Sequence, residues 1–126
     1  MSTLDDLACE VPRGTAYVRL IRRGITYTGG PYMSPDAASE SAARLFLHVP
    51  DATSVTVVPS PGLAPLAEGR RWYALAVYKA DGYTAVAGPF VSRREGRAHL
   101  QELAGRGQIG AMDAWDVCFR YVQSVS

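Results

Sequence analysis

The chain has 126 residues, 13 Lys and Arg against 12 Asp and Glu, a net charge of +1 and 48% apolar residues. That length gives one domain, and the composition is too apolar and too evenly charged for a disordered chain. No apolar run reaches a membrane span, Met1–Leu7 lacks the basic start and apolar stretch of a secretory signal, and the charge balance removes the footprint of a non-specific nucleic-acid binder; a cytoplasmic, membrane-free protein is the expectation.

Residues 1–12, with Asp5, Asp6 and Glu10, read as a solvated acidic tail. A strand is expected over 16–21. It turns at Arg22-Arg23-Gly24 and returns over 25–28. Gly30-Pro31 then ends the ladder, since proline has no N–H to donate, and Ser34-Pro35 opens a helix with a capping hydroxyl and a proline in its first turn. Ala38, Ala42, Leu45, Phe46 and Val49 mark the helix's apolar face, and residues 54–58 alternate as a half-buried strand.

Residues 59–70, rich in Pro, Ala and Gly, read as a linker. Beyond it the pattern returns at an offset of 58 residues: Gly24 lies over Gly82, Gly30-Pro31 over Gly88-Pro89, Tyr32 over Phe90, Ser34 over Ser92 and Leu45 over Leu103. A second hairpin is expected from 72–78 and 83–87, turning at Asp81-Gly82. Ser92-Arg-Arg-Glu95 forms a capping box for a helix whose inward stripe includes Leu100 and Leu103, and a strand follows over 114–121. The expected fold is α+β: a tandem ββαβ–ββαβ pseudo-repeat, residues 13–58 and 71–122, in which one antiparallel sheet carries two helices on one face. Leu45, Phe46, Val57, Leu100, Leu103, Val117 and Phe119 are its expected core.

The segment Tyr83-Thr-Ala-Val-Ala-Gly-Pro-Phe-Val-Ser92, with the helix after it, resembles the second half of a SPOR domain, and residues 25–45 resemble a first half. The resemblance implies an RNP-like fold and a glycan-binding sheet face. An extra strand before each Gly-Pro segment departs from that family, as does the missing export signal.

No cofactor motif is visible. Cys9, His48, His99 and Cys118 are too scattered for zinc, neither histidine has a neighbour to orient it, and no Gly-x-Ser-x-Gly or phosphate loop occurs. Two groups of residues stand out as candidate binding positions. The first is three arginine pairs, Arg22-Arg23 at a hairpin tip, Arg70-Arg71 before a strand and Arg93-Arg94 in a helix's first turn, where cations oppose the dipole. The second is the hairpin tyrosines, with Tyr27, Tyr78 and Tyr83 foremost. Period two puts Tyr27 and Tyr83 in one phase with Ile25 and Ala85, and Thr28 and Val86 in the other.

These residues point to a non-catalytic interaction protein, an inhibitor or accessory protein of the phage or plasmid type by analogy, gripping a macromolecular partner through the sheet face and an Arg/Tyr surface. A protein is the expected partner. A nucleic acid on an RNP-like sheet and a SPOR-like glycan site are the alternatives. Edge strands poor in lysine add the expectation of a homodimer.

Overall fold

The computed structural model describes residues 2–14, 16–59, 62–64, 66–106 and 111–124. Its elements are β1 (Ser2–Thr3), α1 (Leu4–Cys9), β2 (Ala16–Arg22), β3 (Ile25–Tyr32), α2 (Pro35–His48), β4 (Ala52–Val58), β5 (Trp72–Tyr78), β6 (Thr84–Phe90), α3 (Arg93–Gly105), a 3-10 turn at Met112–Ala114 and β7 (Trp115–Ser124). The fold is α+β. All strands join one sheet in the order β1-β7-β5-β6-β3-β2-β4, antiparallel except for the short β1, which runs parallel to the end of β7.

Local chemistry explains the turns and helix starts. Arg23 and Gly24 both take positive φ (53° and 76°), so β2 turns straight into β3. The second hairpin is wider. Gly82 (φ 76°) sits in a turn where the Asp81 carboxylate accepts the Tyr83 amide at 2.9 Å. Ser34 and Ser92 cap α2 and α3 by accepting the amides of Ala37 and Glu95, each at 3.1 Å. Glu95 departs from the expected box: its Oε2 accepts the Val91 amide at 2.6 Å, one residue before the cap. The Gly-Pro pairs, both with cis peptide bonds, do not end the ladders: β3 and β6 run on to Tyr32 and Phe90, which pair with Ala16 and Trp72.

Strand alternation gives the sheet two faces. On the inner face, α2 lies over β2 and β4, and α3 over β5 and β6. Ala16 and Val18 are buried against Ala38 of α2, while Ile25, Ala74, Ala87 and Phe90 are buried with Leu100 of α3. The outer face holds a separate cluster of Leu7, Val11, Tyr17, Tyr73, Val86 and Val122, with Leu63, Leu66 and Leu75 against it.

That outer cluster corrects one expectation. Residues 1–12 are not a solvated tail: Thr3 caps α1 in a reciprocal box with Asp6, and Leu7 and Val11 are buried against the sheet. In the linker after β4, the Gly62 carbonyl accepts from Arg19 Nη2 (3.0 Å) and the Ala64 carbonyl from the Tyr73 hydroxyl (2.6 Å), which fastens residues 62–64 to the outer face.

Two core assignments also fail. Phe46 is 60% exposed and Val57 36% exposed, because the C-terminal turn of α2 reaches the outermost strand, β4, and has no further strand to rest on. Leu100 and Leu103 are buried as expected, while Leu45, Val117 and Phe119 are half-buried. At the sheet's margins, β7 is occupied at its C-terminal end by β1 and carries Asp116 and Arg120, whereas β4, Ala-Thr-Ser-Val-Thr-Val-Val, is uncharged and has no outer partner among the described residues. No helix among the described residues is long and apolar enough to cross a membrane.

Candidate functional site: a cleft between the helices

The inner face is not filled. Across β3, β6 and β5 the residues turned to it are Gly29, Ala85, Ala87, Ala74 and Ala76, which match in register across the ladders. Side chains this short leave a gap where α2 and α3 stand apart, and the result is an apolar cleft of about 330 Å³. Leu45 and Val49 wall it from α2, and Leu100 and Leu103 from α3.

The two ends of the cleft differ chemically. One end is held by ion pairs. Arg22, the last residue of β2, is fully buried; its Nε donates to Asp51 Oδ2 at 2.8 Å and its Nη2 to Glu102 Oε1 at 2.9 Å. Arg23 reaches the same two carboxylates at 3.3 Å, and Arg106 adds a contact to Glu102 at 3.1 Å. Hydrogen bonds from Arg22, helped by the guanidinium charges of Arg22 and Arg23, hold both carboxyls below the usual carboxylate range, against some desolvation. The Tyr27 ring lines the cleft beside this cluster, where burial raises its pKa against the opposing charge of Arg22.

The other end is aromatic. Tyr78 and Trp115 are ladder partners, and the Tyr78 amide donates to the Tyr83 carbonyl, so three rings come side by side. Tyr78 meets Trp115 edge to face at 5.1 Å between centroids, and Tyr83 meets Trp115 at 6.1 Å. The Tyr83 ring leans over Gly29, which has no Cβ to obstruct it. Its hydroxyl accepts from Tyr32 (3.2 Å), and Tyr32 Oη shares a 2.7 Å bond with Ser41 Oγ on α2. Burial, with the Tyr32 hydroxyl beside it, raises the Tyr83 pKa far above its ordinary value, so this hydroxyl stays neutral. Trp115 Nε1 is buried without a hydrogen-bond partner. Asp81 stands at the mouth.

The candidate residues therefore separate into two sets. Tyr27, Tyr78 and Tyr83 converge on the cleft, with Tyr32 and Trp115, which the sequence reading did not select. None of the arginines lines it. Arg22 is buried in its ion pairs and Arg23 shares them; Arg70 lies 3.6 Å from Glu95; Arg71 donates to the Gln123 carbonyl at 2.6 Å; Arg93 lies over the Trp72 ring at 5.6 Å, and Arg94 is exposed. Arg93, whose charge opposes the helix dipole, thus lies over an aromatic face.

The outer sheet face, on which the macromolecular expectations relied, is covered over its middle by α1, residues 62–64 and Leu66. Cys9 and Cys118 are exposed free thiols, and His99 packs against the Phe90 ring. Among the described residues no three His, Cys, Asp or Glu side chains gather to hold a metal ion. Comparisons with protein-family models, curated proteins and solved structures found no match.

Proposed function

We propose that the protein is a non-catalytic binding module that holds a small, largely apolar ligand in the cleft between α2 and α3. The observation that carries this reading is the floor of Gly29, Ala74, Ala76, Ala85 and Ala87 beneath helices that stand apart, because a well-packed inner face would carry larger side chains there. A volume of about 330 Å³ falls at the small end of the range for ligand sites, and apolar walls with a few polar groups at the ends are their usual composition. The hydroxyl that Ser41 brings to the lining is bonded to Tyr32, which suits a structural role better than a nucleophilic one. Within the expected Arg/Tyr surface, the tyrosines support binding and the arginines support the fold.

The test uses N-phenyl-1-naphthylamine, a neutral dye whose emission rises in apolar sites, together with amide chemical shifts. The dye is expected to bind saturably and to shift the amides of Ala85, Leu100 and Leu103. Ala85→Leu, which fills the floor, should abolish both effects while the rest of the amide spectrum stays folded. Binding that survives this substitution would place the dye elsewhere and end the reading.

A further inference from the structure

The aromatic end of the cleft has a chemistry of its own. Tyr78 and Trp115 stand at 86° to each other, Tyr83 and Trp115 at 77°, and Tyr32 and Tyr83 at 79°. All four rings line the cleft, and the face of each ring carries the negative lobe of its quadrupole. Organic cations bind against such faces, most strongly where water is excluded.

A full negative charge lies beside them. Asp81 lines the same mouth, and Oδ1 is committed to the Tyr83 amide, which fixes the carboxylate in place. No Lys, Arg or His among the described residues pairs with it. Lys79, its neighbour in the turn, lies 4.0 Å from Asp116. Hydrogen-bond acceptors are scarce here by comparison, since the Tyr32 and Tyr83 hydroxyls are engaged with each other and with Ser41. A bare ammonium has three N–H groups to satisfy, and a methylated one has fewer or none.

We propose that the cleft takes an amphiphilic organic cation: a small molecule whose methylated ammonium sits among Tyr78, Tyr83 and Trp115 beside Asp81, and whose apolar body lies over Ala85 and Ala76. This rests on the cleft reading above and adds the charge of the ligand's head group.

Three probes of one length separate the two statements: 4-phenylbutyl-trimethylammonium, 4-phenylbutanol and 5-phenylpentanoate, each titrated by calorimetry into the whole protein. The ammonium should bind about tenfold tighter than the alcohol, a ratio in keeping with one or two cation–π contacts, and the carboxylate should bind weakest. Asp81→Asn keeps the turn's acceptor and removes only the charge. It should cut the ammonium's advantage several-fold and leave the alcohol unchanged, and Tyr78→Leu should remove most of the advantage. Equal binding of ammonium and alcohol, or tightest binding of the carboxylate, overturns the cation assignment while the cleft reading stands. If none of the three binds, both fall.

Discussion

The two faces of this sheet are built from the same strands, yet one is closed and the other open. On the outer face Tyr17 and Tyr73 are fully buried among Leu7, Val86 and Val122, and α1, residues 62–64 and Leu66 complete the cover. On the inner face the central strands offer glycine and alanine, and two longer helices leave a gap above them. Both faces are apolar, so hydrophobicity does not distinguish them. Side-chain length does: where α2 and α3 stand apart, a floor cut back to Cβ does not fill the space between them.

The largest effect should come from breaking the closed face. Tyr17→Ala removes a fully buried ring and should cost about 3–5 kcal/mol in urea unfolding, whereas Leu45→Ala, on the wall of the cleft, should cost under about 2 kcal/mol because its cavity is already open to water. Comparable losses at both positions would mean that the cleft closes in solution.

Adding bulk sharpens the same contrast. Val86→Phe on the closed face should destabilise by about 1–3 kcal/mol, while Ala85→Leu, one residue away and pointing into the cleft, should change stability by less than about 1 kcal/mol. Equal penalties would place Ala85 in a packed environment.

Acid probes the charged end of the open face. The Asp51 and Glu102 carboxyls are held low in the folded protein, so their contribution is fully present above the unfolded carboxylate range, near pH 4, and is lost as pH falls through that range toward the folded values. Urea midpoints measured from pH 7 to pH 2.5 should fall more steeply for the parent than for Arg22→Met, which removes the main cause of both shifts. The smallest effect is expected from Arg93→Ala, about 0.5–1 kcal/mol from the exposed contact with Trp72.

Much of this was legible in the sequence. The turn residues Arg23-Gly24 and Asp81-Gly82, the caps Ser34 and Ser92, and the shared phase of Tyr27 and Tyr83 are all local signals, and each appears in the fold. What escaped was non-local. α1 is six residues long, too short for a helical stripe to show. Arg22 beside a turn reads as a solvent-exposed tip, and nothing near it in the chain announces that Glu102 will fold back to cover it. The cleft escaped for a related reason: alanine in a strand looks the same whether a helix or a void lies above it.

The margins of the sheet set a limit on assembly. β7 is guarded by β1 and by the charges of Asp116 and Arg120, so β4 is the unguarded border. A strand that meets its own copy antiparallel does so about a two-fold axis, and that contact consumes the border on both molecules. Copies that join through β4 therefore stop at a pair, with both clefts on the same side of one continuous sheet.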